Sequence, residues 1–537
     1  MVITRRGIIG AAALALLACG CYNYKAPAAA ALGDSYTERK RDAADDMFKN
    51  LKELTLLDAQ RIAIRNNPTY IAAYHSVEAA RMKYYQAWGA YSPTLSASFS
   101  MGNSHKWMRD SNGEPRNDTF STSVGVKANM LLFDGFARYF KLKAAESSLK
   151  YQEYMEANAC RTMMLSVAYA YNTVLLAIEQ RRIAMENRKF QLDSLQNTQY
   201  KFEAGAAPLS DVLNFEIKVN NAEVNMVAAD YSYDTAIYAL AVLMGYPDGI
   251  LPAELKFAGD FKTSFAELPA VEIYLDAALA NRPDLKAYRE QLNISEYQVY
   301  QAWSAYSPTV NGYVSMGFGS TDQDTNVRKT SSTYNENFTL GYGINAEWTI
   351  FNGAVRYNKL REMQASHAAE EFEVASRWFN VVDEVRTAYA NYVQSVKKTK
   401  LYARVRELSA KQRDLVDDEY RAGNAELTRL NEAQRDLVDA ETSLASSYIN
   451  VQNAKAQLDS VVGGNTAEYY LSTNEKTMQQ GYPGLGNLPD PDKAPAASAA
   501  STEAAVPAAP KAPVMSGVTP AAAPAIPASA TAAPAKK

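Results

Sequence analysis

Six residues are suited to metal or nucleophilic chemistry by type: Cys19, Cys21, Cys160, His75, His105 and His367. A zinc site needs three or four such ligands at one point, and these are scattered, with no HExxH pair among them. There is no P-loop and no dinucleotide-binding glycine pattern, and no serine or cysteine has a recognisable base partner. Cys160 falls inside a long helical pattern, where a lone cysteine behaves as a small apolar residue. The reading is therefore no enzyme, no metal and no cofactor. With 55 basic and 59 acidic side chains, the formal charge of -4 also argues against nucleic acid as a partner.

Cys19 and Cys21 close a different pattern. Arg5 and Arg6 precede the apolar stretch Gly7 to Leu17, and small residues follow. This is the order of a secretory signal, placed at residues 1–18. The apolar run is too short to cross a bilayer as a helix, and a mean hydropathy of -0.30 excludes a bundle of membrane helices. Leu16-Leu17-Ala18-Cys19 resembles a bacterial lipobox. That resemblance implies a lipidated Cys19 (palmitate among the bound chains), with Cys21 as the alternative. Gly20 after the cysteine implies delivery to the outer membrane. An ordinary signal peptide, or a twin-arginine signal at Thr4-Arg5-Arg6, competes with this reading. Cleavage removes two arginines and takes the charge from -4 to -6.

The chain is written twice. QAWGAYSPT at 86–94 returns as QAWSAYSPT at 301–309. LFDGFARYFKL at 132–142 returns as IFNGAVRYNKL at 350–360, and Phe202 to Gly205 returns as Tyr420 to Gly423. The later pairs are spaced slightly wider than the first, so the second copy carries a short insertion between Pro308 and Gly353. A tandem duplication is expected, with units far longer than a solenoid repeat. The first unit is placed at 46–250 behind a 19–45 linker, the second at 271–465, and a Pro/Gly-rich connector at 251–270.

Each unit carries a striped hairpin, about 93–133 and about 308–351. On one face lie Leu95, Ala97, Phe99 and Met101, then Phe120, Val124, Val126, Ala128, Met130 and Leu132. The other face takes Ser96, Ser98, Ser100, Ser121, Ser123, Lys127 and Asn129. In the second unit Asn311, Ser315, Thr339, Asn345 and Glu347 oppose Val314, Met316, Phe318, Phe338, Leu340, Tyr342 and Ile344. Period two over this length means strands with one apolar and one polar face. A soluble antiparallel sheet and a membrane barrel of roughly 9–11-residue strands both fit. Residues 102–119 and 319–337 read as long polar loops, which suit the outer face of a barrel. Four strands cannot close around a channel, and open edges in lipid are costly, so copies must share it. Three copies give twelve strands, although periodicity does not fix that number.

No proline interrupts Gly135 to Gly205, so a helix on the order of 100 Å is expected there. Met164, Ala168, Tyr171, Leu175 and Ile178 step by four and three, as do Val385, Tyr389, Tyr392 and Val396 in the second unit. The spacing predicts long helical hairpins over 136–246 and 354–462, turning at Gly205 and Gly423. Shorter helices, about 55–66, 69–90, 271–281 and 284–305, break at Pro68 and Pro283. Residues 466–537 form the C-terminal segment, and its Ala/Pro-rich tail from about 483 is expected to be disordered.

A signal, two striped hairpins and two very long helical hairpins in duplicated order resemble the TolC-like outer-membrane efflux channels, in lipoprotein form. The motifs are YSPT at 91–94 and 306–309, FDG and FNG at 133–135 and 351–353, and AG at 204–205 and 422–423. The resemblance covers roughly 45–465. It implies an α+β fold: a homotrimer whose twelve-stranded transmembrane β-barrel, four strands per chain, continues into a periplasmic helical barrel. It also implies docking with a periplasmic adaptor and an inner-membrane pump or ABC exporter. In that family the periplasmic tip is gated near the AG turns by a tyrosine bonded to an aspartate; the matching residues are Tyr420 and Asp211. The family's two aspartates after the second turn are Arg429 and Glu432 here, and a gate arginine is Ala425. Arg429 and Glu432 read as a three-chain girdle or as a surface i,i+3 pair. The function expected is an exit conduit for small toxic molecules or secreted protein; the competing reading is a helical spacer lipoprotein without transport.

Overall fold

The computed structural model describes residues 52–463, apart from 108–115, 247–248, 252–254, 260–267 and 328. The signal, Cys19 and Cys21, the linker and the C-terminal segment from 464 lie outside the described residues.

Fourteen elements follow in order among the described residues: β1 (Glu53–Leu54), α1 (Leu56–Asn66), α2 (Pro68–Gly89), β2 (Thr94–Trp107), β3 (Arg116–Phe133), α3 (Ala137–Glu203), α4 (Leu209–Leu243), β4 (Lys256–Phe257), α5 (Val271–Asn281), α6 (Pro283–Ser304), β5 (Thr309–Val327), β6 (Lys329–Glu347), α7 (Val355–Arg421) and α8 (Leu427–Val462). Corresponding helices have equal lengths in three pairs: 11 residues in α1 and α5, 22 in α2 and α6, 67 in α3 and α7. Pro68 and Pro283 open α2 and α6, where their missing N–H costs nothing. Phe136 (φ 69°) and Ala354 (φ 65°), at equivalent places in the two halves, both take the left-handed region immediately before a long helix. Such a conformation costs a side-chain-bearing residue about 1 kcal/mol or more, and both positions bear it.

Three layers each set four elements side by side. The sheet runs β2-β3-β5-β6, antiparallel throughout. Next to it α2 packs on α3, α3 on α6 and α6 on α7. Beyond, α4 packs on α3, α3 on α8 and α8 on α7. Two apolar cores fix these layers. In one, Met163, Val167, Tyr171 and Val174 of α3 meet Leu240 and Ala241 of α4 and Ala59 and Ala63 of α1. The Tyr171 hydroxyl lies 2.7 Å from the Leu54 carbonyl and 2.6 Å from that of Ala258, tying α3 to the small parallel pair β1-β4. The other joins Val381, Val385 and Ala388 of α7 to Leu458 and Val461 of α8 and Ala278 of α5.

The strands correct one expectation. Residues read as loops, 102–119 and 319–337, largely continue the ladder: β2 runs to Trp107, β3 starts at Arg116, β5 runs to Val327 and β6 starts at Lys329. At about 3.3 Å per residue, 19-residue strands reach on the order of 60 Å, more than twice the ~25 Å apolar band of a membrane barrel. Beyond that band both faces are polar, so hydropathy stops reporting the strand while backbone pairing continues.

Candidate functional site

The register places the polar residues of four strands on one face. Ser96, Lys127, Ser315 and Gly341 form one row; Ser98, Gly125, Gly317 and Thr339 form the next; Ser100, Ser123, Gly319 and Asn337 the third. Ser121 continues the face between Gly102 and Thr321, and Asn129, Asn311, Asn345 and Glu347 continue it toward the helices. Small side chains dominate. The hydroxyls of Ser100 and Ser123 lie 2.8 Å apart, and Ser96 donates to the Lys127 carbonyl at 3.2 Å. Tyr313 shares this face and escaped the sequence reading, although its parity with Asn311 and Ser315 carries the signal. Its ring centroid is 5.7 Å from Lys127 Nζ.

The opposite face is bare. Leu95, Phe99, Phe338, Leu340, Tyr342 and Ile344 are all more than half exposed. No described element of the chain covers this face, and β2 and β6 each have one side unpaired at the sheet edges. An apolar surface of this extent marks a site of contact with a membrane or a protein partner, and hydrocarbon suits it.

A paired collar joins sheet to helices. Asp134 accepts from the Arg138 backbone and Nε at 3.0 and 3.1 Å, and the Arg138 guanidinium covers Tyr91 at 5.0 Å. In the second half Asn352 accepts from the Arg356 backbone at 3.5 Å, and Arg356 covers Tyr306 at 5.3 Å. Tyr91 and Tyr306 touch Trp88 and Trp303. The FDG, FNG and YSPT motifs are thus the two sides of one joint.

At the far end the helices turn at Gly205 (φ 74°) and Gly423 (φ 78°). Ala206 N–H returns to the Lys201 carbonyl at 2.7 Å and Asn424 N–H to that of Glu419 at 2.8 Å. This closure needs a left-handed residue, which only glycine adopts freely. Phe215, Val416, Leu430 and Ala433 are buried beneath the turns, with Tyr420 packed against them. Asp211 lies in the first turn of α4, where its charge suits the helix dipole.

Within one chain, the tip contacts run through Lys201 and Glu419. Tyr420 is engaged by Lys201, whose Nζ lies 4.6 Å from the ring centroid and 3.5 Å from the Tyr420 carbonyl. Arg429 pairs with Glu419 across the turn at 3.2 Å, not with Glu432. Lys201 and Glu419 carried no sequence signal, because each reaches its partner across a turn or between hairpins.

One constellation has the residue types of a hydrolase. Ser295 Oγ lies 2.8 Å from His367 Nδ1, and Glu371 lies 3.6 Å from His367 Nε2. The Ser295 hydroxyl donates to the Leu292 carbonyl at 2.8 Å, so the imidazole N–H donates to Oγ. That is the reverse of nucleophile activation. Cys160 is 1% exposed, and burial, with the Glu156 charge adding to it, pushes its thiol up to about 12. It is held as an inert thiol.

Comparison with known proteins agrees with this layout. The family model for outer membrane efflux proteins matches residues 60–246 and 274–464, more than half of the chain. The alkaline protease secretion protein AprF of Pseudomonas aeruginosa is 26% identical over 65% of this chain and 72% of its own length. The outer membrane protein TolC of Escherichia coli is 24% identical over 75% of this chain and 79% of its own. The solved outer membrane protein VceC of Vibrio cholerae superposes with a TM-score of 0.62 at 16% identity, over 76% of this chain and 96% of that one. The chain belongs to the outer membrane efflux protein family: it is a TolC-like exit channel of the outer membrane.

Proposed function

We propose that three copies of this chain close one conduit, a shared β-barrel in lipid continued by a helical barrel across the periplasm, with a gated tip. The observation that carries this is a matched set of bare edges. The sheet ends in open strands β2 and β6, and its apolar face has no cover among the described residues. The outermost helices of the far layer, α4 and α7, each bear a second apolar seam. Val224, Val227 and Tyr231 of α4 are each two-thirds or more exposed, and so is Leu401 of α7, with Val405 and Leu408 about half exposed. Opposite edges left bare in this way suit a head-to-tail contact, which closes a ring where its rotation closes. Four strands per chain make twelve in three copies.

A tandem duplication accounts for the equal helices and for a repeated ion pair: Arg188–Glu223 at 2.8 Å recurs in the second half as Arg406–Glu441 at 2.7 Å. The lumen lining is the polar face from Ser96 to Glu347 described above. The gate is the tip around Asp211, Tyr420, Arg429 and Glu432, with Lys201 added. Lipidation at Cys19 anchors the chain; a periplasmic adaptor and an inner-membrane pump or ABC exporter supply energy and cargo. The cargo is small toxic molecules or secreted protein, the latter in keeping with the secretion role in the name of AprF. The test is native mass together with conductance in a planar bilayer. Trimers that pass ions support the reading; monomers that never conduct overturn it.

A further inference from the structure

The charges of the sheet are sorted by face, and the sorting runs against the acidic composition of the chain. On the polar face, the charged residues among those whose side chains are described are Lys106, Lys127 and Glu347. The acids of the distal strands fall on the other face: Asp118, Asp322, Asp324 and Glu336 share the parity of the apolar stripe and continue it beyond the band. His105 lies beside Asp118 at 2.6 Å on that same outer face.

Lys127 stands midway along the polar face, in a row with Ser96, Ser315 and Gly341. No carboxylate among the described residues forms an ion pair with it. The nearest acid along that face, Glu347, is six residues down β6 from the Lys127 row, about 20 Å at roughly 3.4 Å per residue. What holds the ammonium is Tyr313, whose ring lies across Gly343, where a Cβ would meet the phenol oxygen at 3.0 Å. A ring face positions a cation without neutralising it.

We propose that Lys127 gives the barrel lumen a preference for anions, with Tyr313 as the residue that positions it. The proposal rests on the conduit reading above. Three copies put three uncompensated ammonium groups at one level of a water-filled passage lined by Ser, Thr, Asn and Gly, inside low-dielectric walls. The guests favoured are small organic anions, carboxylates and sulfonates. A passage lined by one sign of charge raises the local counter-ion concentration about tenfold or more.

The experiment uses the full-length wild-type protein in a planar bilayer, with a KCl gradient and naphthalene-1,5-disulfonate added on the hairpin side. The wild type should show block by the disulfonate. Lys127→Gln should weaken that block about tenfold and move the reversal potential toward cations, whereas Lys127→Arg should keep both. Tyr313→Phe should behave as wild type, because the ring face and not the hydroxyl does the positioning; Tyr313→Ala should weaken the block. A conducting Lys127→Gln channel with unchanged block and reversal potential overturns the anion preference and leaves the conduit standing. A wild type that does not conduct removes both.

Discussion

The Arg282 guanidinium reaches Asp284 Oδ2 at 2.5 Å and Glu384 Oε2 at 2.6 Å while its own side chain is 3% exposed. This fork sits between α5 and α6 and ties both to α7. At the corresponding place in the first half, Asn67 donates to the Leu243 carbonyl at 2.8 Å. The second half thus places a buried charge, bound to α7, where the first half has a neutral amide bound to the end of α4.

Arg282→Leu should destabilise the protein by about 3 kcal/mol, because Asp284 loses its hydrogen-bonded counter-charge where little solvent can replace it, and the Arg161 charge alone remains. Burial alone would raise the Asp284 carboxyl; the hydrogen bond and charge of Arg282 outweigh it and hold the carboxyl below its ordinary value of 3.8. A depressed carboxylate stabilises the fold above the unfolded-state pKa, and that stability is lost as pH falls through the folded value. Thermal melts should therefore lose stability below about pH 4, and Asp284→Asn should flatten that acid limb. An Asp284→Asn melt as steep in acid as wild type would contradict the assignment.

At the tip, the hydroxyl and the ring of Tyr420 make different predictions. If Lys201 holds the ring, Tyr420→Phe leaves the resting conductance alone and Lys201→Ala raises it. A cation–π contact is worth about 0.5–1 kcal/mol at an exposed site, which changes the open fraction roughly two- to fivefold. If the hydroxyl bond to Asp211 is the latch, Tyr420→Phe opens the channel instead. Single-channel recording of the two variants separates them.

Long elements were legible in the sequence, and their partners were not. The α8 limits Leu427–Val462 and the α5 limits Val271–Asn281 follow from glycine, proline and apolar spacing, since each signal is local. The polar face was legible at Ser96, Lys127 and Thr339 because alternation reports parity. It failed at Tyr313, an aromatic residue on a polar face, and beyond Gly102, where both faces are polar. Tip contacts such as Lys201–Tyr420 join residues far apart in the chain, and spacing carries no information about them. The family pattern supplied Asp211 and Tyr420 but not Glu419, because the chain departs from it at Arg429.

Assembly should hinge on the seams of α4 and α7. Val227 is 69% exposed in the single chain, in line with Val224 and Tyr231 on the same open seam. Val227→Asp should leave the helical content of the chain intact and abolish the trimer in native mass measurements. A carboxylate at a water-facing position would have no such effect, so trimers of this variant would place the subunit contact elsewhere.

Cys160 gives a probe of the α3 core. With its thiol pushed up to about 12 and its sulfur 4.0 Å from Met164 Sδ, it should resist maleimide at pH 8 in the folded protein. Peptide mapping should find the Cys160 peptide unlabelled until denaturant is added. Labelling without denaturant would mean that α3 opens locally from α1 and α4.

Thr339 and Leu340 are adjacent on β6 and face opposite ways, Thr339 across from Gly317 and Leu340 across from Met316. The same substitution at the two should fail in different ways. Leu340 is 55% exposed on the apolar face. An arginine there meets hydrocarbon and costs about 2–4 kcal/mol near the bilayer midplane, so Leu340→Arg should reduce the yield of inserted trimer. Thr339→Arg places the same guanidinium on the polar face at the level of Gly317. It should insert at wild-type yield, narrow the passage and lower single-channel conductance. A soluble sheet packed on a core would tolerate neither pattern, since both residues would then answer in stability alone. Equal insertion yields for the two variants, with conductance unchanged in both, would mean that the stripe does not divide lipid from lumen.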